Sequence, residues 1–244
     1  MAIVKLTGRF ADKSVVAAGG TGGLGQAVSL AFLEESARVV VTYRKQAEFA
    51  ALHEAAGEHA ARLTGVIVDV TDESAVRKLA QGEDLNGASV DVLVNTVGTY
   101  AGGLPLWQTD PAVLERMLDL NLRSGFVLSR VFVPGMLAHG SGAIVNVAAR
   151  AALDHAAGAC AYAASKAAAV ALMDCLAADL KGSGVRVNSV LPGIIDTPMN
   201  RGAMPNADFS KWPKPSEIAQ VILFLCSDEA RLVHGTSVPV YGNA

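Results

Sequence analysis

A chain of 244 residues that is 51% hydrophobic and carries a formal net charge of −3 is long enough to bury a substantial core, and it suits one large α/β domain spanning 1–244. No basic face or tail argues for a nucleic-acid partner, and no apolar run reads as long enough to span a membrane. The N-terminus, MAIVKLTGRFADKS, lacks the long apolar stretch of a signal peptide, and the scattered Cys160, Cys175 and Cys226 read as buried free thiols in a reducing cytoplasm.

The first strand, Ser14–Ala18, runs into AGGTGGLG and then a helix over 24–36. Glycines allow a tight turn and a close backbone approach to phosphate, and the helix that follows offers free N–H groups and its positive dipole end. Strand, glycine turn and helix in that order point to a dinucleotide site rather than a plain turn, with Gly19, Thr21, Gly23, Leu24 and Gly25 as contacts. The second strand, Arg38–Thr42, leads into Tyr43-Arg44-Lys45 and a helix over 45–57. An acid that would accept from a ribose 2′-hydroxyl is missing there until Glu48. Arg44 and Lys45 suit a 2′-phosphate, so NADP(H) is favoured and NAD(H) stays possible; the alternative is two solvated charges at a helix start. His53 and His59 in this region are six positions apart, share no helix face and make no metal site.

The third strand, Leu63–Val68, ends at Asp69-Val70, where the carboxylate either accepts from an adenine amino group, with Val70 flanking the ring, or caps the helix over 73–81. The fourth, Val90–Asn95, opens into Asn95-Thr96-Val97-Gly98. Asp110 followed by Pro111 starts a long helix over 111–138. After the fifth strand, Ala143–Val147, a helix over 160–181 carries Tyr162 and Lys166 four apart on one face, about 6 Å along its axis. An ammonium beside a phenol favours the phenolate and lowers its pKa; the alternative is an Ala-rich packing helix with one aromatic and one snorkelling lysine. The sixth strand, Val185–Val190, precedes Leu191-Pro192-Gly193, and a last helix over 216–226 leads to a strand over Ser237–Tyr241. In the aperiodic segment 197–214, Met199, Met204, Phe209 and Trp212 either cover an apolar substrate or pin a loop. The alternation predicts a doubly wound, Rossmann-like parallel sheet of about seven strands with helices on both faces and its ligands beyond the strands' carboxyl ends.

Together these stretches resemble the short-chain dehydrogenase/reductase family in its compact single-domain form, over nearly the whole chain. Gly19, Gly23 and Gly25 match its TGxxxGxG turn, with Ala18 in place of the threonine; Asp69-Val70 matches its adenine-contacting pair; Asn95 and Gly98 match the ends of its NNAG loop. Asn121 in LDLNLRS, Tyr162 and Lys166 as YxxxK, and Pro192-Gly193 through Ile195 to Thr197 as PGxxxT match its remaining motifs. The resemblance implies hydride exchange between a nicotinamide cofactor and a small carbonyl or secondary alcohol. Tyr162 would act as acid/base, Lys166 would hold the nicotinamide ribose and tune Tyr162, and Asn121 would position a relay water. It also implies a homodimer or homotetramer and a substrate lid near 197–214. The family's serine, thirteen residues before the tyrosine, is Ala149 here, and Ala148 and Arg150 offer no hydroxyl. Losing one preorganised donor costs about 10²–10³ in rate. Ala149, His155 and Met199 are the candidate substrate contacts, with His155 either a replacement donor or a solvated loop residue. The rival expectation is a nucleotide-binding protein with weak or no catalysis.

Overall fold

The computed structural model describes residues 8–85 and 89–243; the stretch 1–7, read above for a signal peptide, lies outside them. Apolar strand runs need cover on both faces, and β1 (Ser14–Ala18) is buried at all five of its positions. It pairs in parallel with β2 (Arg38–Tyr43) on one side and β4 (Val92–Asn95) on the other. Beyond β2 lies β3 (Leu63–Ile67); beyond β4 lie β5 (Gly142–Val147), β6 (Val185–Pro192) and β7 (Thr236–Val240). Among the described residues the sheet therefore runs β3-β2-β1-β4-β5-β6-β7. Strand order reverses between β1 and β4, which opens a crevice at their carboxyl ends.

Side-chain alternation sends each strand's apolar residues to two separate cores. On one face, Val15, Val41, Val94 and Val145 pack under α1 (Gly23–Glu34) and α8 (Pro215–Cys226), which contribute Val28, Phe32, Ile218 and Ile222. On the other face, Val16, Val40, Leu93 and Ile144 meet α5 (Ser124–His139) and α6 (Cys160–Asp179) through Leu128, Phe132, Met136 and Met173. Each such side chain, fully buried, stabilises the fold by about 1.5–3 kcal/mol. The predicted α/β/α layering and doubly wound parallel sheet are what the structure has.

Three elements differ from the sequence reading. The long helix expected over 111–138 is α4 (Pro111–Leu118), a π-helical turn over Asp119–Arg123, and α5. The helix after β3, α3 (Glu73–Gln81), is capped by Asp72, whose carboxylate accepts from Ser74 N–H at 2.8 Å, and not by Asp69. The segment 197–214 contains a short helix, α7 (Pro198–Ala203), capped by the Thr197 hydroxyl, and a 3₁₀ turn over Phe209–Lys211. Asp110 caps α4 as expected, with Pro111 at its first position; α2 (Gln46–Ala56) also lies where it was predicted.

Two composition readings also need correction. Of the three free cysteines only Cys226 is buried, which pushes its thiol up to about 12; Cys175 is exposed and Cys160 intermediate. An apolar run of spanning length does exist: α6 has 20 residues and a mean hydropathy of 1.3. It nevertheless carries the buried Lys166 and packs against α4 and β6, as the core helix of a layered fold does.

Candidate active site

The glycine turn after β1 is shaped by contacts no larger residue would allow. Gly19 adopts a left-handed φ of +71° and donates its N–H to the Thr42 hydroxyl at 3.1 Å. A Cβ on Gly25 would collide with the Gly19 carbonyl, and one on Gly23 would sit 3.0 Å from the Thr197 methyl. No side chain caps α1 at Gly22, so the helix keeps its first N–H groups for a ligand. Leu24 is buried in the core, which leaves only its backbone for that role.

From this turn a cleft extends past Thr21, Tyr43, Arg44, Asp69, Val70 and Gly98. Arg44 is exposed there and pairs with no group among the described residues, whereas Lys45 Nζ lies 3.0 Å from Glu48 Oε1. Tyr43 stacks on Phe49 with ring centroids 4.9 Å apart and donates its hydroxyl to Gln46. Asp69 Oδ1 accepts from the Thr71 N–H and hydroxyl at 2.9 and 2.8 Å, which holds the carboxylate at the cleft wall beside Val70. A cradle that excludes Cβ atoms at one end, with a carboxylate and a free cation along its wall, fits a dinucleotide.

Asn95, expected at the cofactor, is instead buried and spent on structure. Its amide donates to Asn146 at 2.9 Å and its carbonyl accepts from Val97 N–H at 3.1 Å, so it fixes the crevice loop rather than facing it. Pro192 ends β6 opposite Val240, and Gly193 packs on Tyr241. Ile195 lies against the first core, and its carbonyl accepts from Asn200 at 2.8 Å. These three therefore carry the chain from the sheet edge to Thr197, which returns to touch the glycine turn.

Beyond Gly98 the cleft meets the tyrosine–lysine pair. An ideal Cβ on Gly98 would stand 2.9 Å from Asn121 Oδ1 and 3.0 Å from Lys166 Nζ, so these three residues converge. Lys166 is 4% exposed and donates to the Val147 carbonyl at 2.9 Å. Asn121 accepts from Thr99 N–H at 2.8 Å and donates to Thr99 C=O at 3.0 Å and to Ser165 Oγ at 2.9 Å. Its side chain is thus committed to clamping the crevice loop onto the π turn. A π turn of this kind lets one residue leave the regular helical ladder, which is why such turns gather at functional sites.

Burial pushes the Tyr162 phenol up to about 12, with the neighbouring Tyr100 adding in the same direction. Burial also draws Lys166 down to about 8. Sequence reasoning expects the ammonium to lower the phenol's pKa; here burial and Tyr100 raise it instead, and the lysine spends a hydrogen bond on Val147.

The serine gap is real. Ala149 is buried in extended backbone at the foot of a short 3₁₀ turn. Ser165 donates to the Tyr162 carbonyl at 2.8 Å while accepting from Asn121, so its one proton is already given. His155 is exposed in the loop before α6, and Met199 is 83% exposed, while Phe209 and the buried Trp212 pack together as the anchors of the 197–214 segment. Sequence reasoning missed Tyr100, whose ring meets Tyr162 edge-on at 5.0 Å. Its signal was an aromatic residue two positions past Gly98 in the crevice loop. No cluster able to hold a metal ion occurs among the described residues.

Comparisons with known proteins find relatives along nearly the whole chain. The family described as short chain dehydrogenase matches residues 13–208. The 3-oxoacyl-[acyl-carrier-protein] reductase FabG of Thermotoga maritima is 30% identical over 96% of this chain and 98% of its own. The meso-2,3-butanediol dehydrogenase of Serratia marcescens is 33% identical over 97% of this chain and 96% of its own. Among solved structures, the 3-oxoacyl-[acyl-carrier protein] reductase of Brucella melitensis superposes with a TM-score of 0.88 at 30% identity, covering 100% of this chain and 97% of that one. A Beutenbergia cavernae protein, provisionally assigned as an NAD(P)-dependent gluconate 5-dehydrogenase and solved with NADP at low occupancy, gives 0.87 at 30% identity over 96% and 98%. A chain matched along almost its full length in sequence and in shape, with Tyr162 and Lys166 at the crevice, belongs to the short-chain dehydrogenase/reductase family.

Proposed function

We propose that the chain is an NADP(H)-preferring oxidoreductase that interconverts a small carbonyl compound and a secondary alcohol, with NAD(H) as the lesser cofactor. One observation carries this reading: Gly98 lines the nucleotide cleft and is also the residue on which Asn121 and Lys166 converge, so the cleft leads directly to the Tyr162 face of α6. A nicotinamide nucleotide held by Gly19, Gly23, Gly25, Asp69 and Arg44 would supply the hydride. Tyr162, protonated at neutral pH, would donate its proton to the substrate oxygen in the reductive direction. Lys166 would bind the nucleotide's ribose, and Asn121 would keep the crevice loop in register with α6. Met199 and the rest of 197–214 would close over the substrate from the solvent side.

The free guanidinium of Arg44 and the NADP held by the Beutenbergia cavernae relative both support the NADP(H) preference. Arg44→Ala should weaken NADPH far more than NADH; equal losses in a binding titration would remove the 2′-phosphate argument. The reaction itself is tested by following nicotinamide absorbance with a panel of small ketones and diketones, wild type against Tyr162→Phe. Turnover abolished by the change supports the reading, and turnover indifferent to it overturns it.

Ala149 favours a second reading. With Ser165 committed and His155 in solvent, no side chain hydroxyl or imidazole replaces the missing serine beside Tyr162 through these two residues. Nucleotide binding without turnover on any substrate of the panel would select a sensor or regulatory role. The apolar groove lined by Leu118, Leu122, Phe126 and Leu172 supports pairing of copies across α4 and α5, as a dimer or tetramer, which light scattering would measure. Three unpaired thiols suit the cytoplasm.

A further inference from the structure

Glu48 is the acid nearest the end of the cleft where a ribose 2′ substituent would lie. It sits in the first turn of α2, and its two carboxylate oxygens reach in different directions. Oε1 pairs with Lys45 Nζ at 3.0 Å, and Oε2 accepts from the Thr21 hydroxyl at 3.3 Å, bridging α2 to the glycine turn. Thr21, Arg44, Lys45 and Glu48 line one cleft. With Asp69 farther along the wall, the charges of that cleft are two cations and two anions, and Lys45 is already answered by Glu48. A 2′-phosphate arriving there meets Arg44 as its one unpaired cation and Glu48 as a like charge. A 2′-hydroxyl meets Glu48 as a hydrogen-bond acceptor. The Lys45–Glu48 pair is largely exposed, at 77% and 42%, so exchanging partners costs little.

We infer that Glu48 sets the cofactor selectivity of this chain, holding a 2′-phosphate off and a 2′-hydroxyl on, so that the preference for NADP(H) is shallow and both nucleotides are accepted. This rests on the nucleotide reading above and sharpens it. The electrostatic term is long-ranged and screened: a unit charge against a doubly charged group in a solvated cleft changes affinity by about tenfold, less in high salt.

The test is an equilibrium titration of NADPH and of NADH, read by nucleotide fluorescence, into the wild-type chain, Glu48→Gln, Lys45→Met and the double variant. Glu48→Gln keeps the size and the Thr21 contact while removing the charge. It should tighten NADPH about tenfold at low salt, weaken NADH, and lose most of the NADPH gain at high salt. Lys45→Met should cost NADPH more in the Glu48→Gln background than in the wild type, because the lysine is then free for the phosphate. An NADPH-to-NADH ratio that Glu48→Gln leaves unmoved overturns the inference while the nucleotide reading stands, and so does a gain indifferent to salt. Failure of the wild type to bind either nucleotide overturns the reading and the inference together.

Discussion

Tyr162 and Lys166 are four residues apart on one helix, yet each is shifted by what surrounds it more than by the other. The phenol is held protonated by burial and by Tyr100, and the lysine is buried almost completely with a carbonyl for its partner. The pair was legible in the sequence because YxxxK on a helix is a spacing. The direction of the phenol's shift was not, because desolvation depends on Tyr100, which arrives from another loop. Lys166 has a measurable consequence for stability. Its folded pKa of about 8 lies below the reference 10.5, so between those values the unfolded chain binds more protons, and stability rises with pH. As pH falls through about 8 the burial penalty is complete, a difference on the order of 3 kcal/mol across the window. In urea unfolding from pH 7 to 10 the wild type should gain stability relative to Lys166→Met, whose own profile should fall above about pH 9 because the buried Cys226 thiol acts with the opposite sign; equal slopes would show that the lysine is solvated. Ala149 makes a prediction of the opposite sign. Restoring a hydroxyl with Ala149→Ser should raise kcat toward simple ketones by up to about 10². An unchanged kcat in steady-state assays would mean the pocket is organised around another donor.

The helix α4–α5 is where periodicity misled. Its apolar residues continue through Leu114, Leu118, Leu122 and Phe126 at four-residue spacing, as they would in one helix, so the π turn leaves no trace in the pattern. Within it stands Asn121, whose amide binds both backbone groups of Thr99 and the Ser165 hydroxyl. Of the two roles open to Asp69, capping α3 falls away because Asp72 fills it, and only the path of the chain after β3 decides that. Strand positions and the motif glycines, by contrast, follow from local sterics and from burial on two faces, and these are written into the residue types. Asn121→Leu should therefore act on the element and not only on the chemistry. Removing the clamp leaves the Thr99 N–H and C=O without their partner and should destabilise the chain by about 2–4 kcal/mol, seen as a lower denaturation midpoint at constant m. A midpoint within error of the wild type would mean that the π turn stands without it.

At the scale of the molecule, the seven parallel strands of the described residues and the apolar cores on the sheet's two faces fix a frame whose open edge is the crevice between β1 and β4. The frame was readable because alternating strands and helices admit few topologies once crossovers are right-handed. The surroundings of Tyr162 were not, since Tyr100 reaches its ring from another loop, an approach no local pattern encodes. A ligand bound only by the folded frame adds to its stability; NADPH at a hundred times its Kd should contribute about 2.7 kcal/mol. A thermal scan should show that as a raised Tm, and an unmoved Tm at saturating nucleotide would contradict a folded-state site in the cleft.

The Thr197 methyl resting against Gly23 joins two regions that are 174 positions apart in the chain, the turn that would cradle phosphate and the cap that starts α7. Adding one methyl at Gly23 would press on Thr197 and, through its hydroxyl, on the first turn of that helix. Damage at the anionic end of the crevice should then surface as poorer handling of the carbonyl compound at the far end: Gly23→Ala should raise the KM for substrate as well as the Kd for nucleotide, although Gly23 need never touch the substrate.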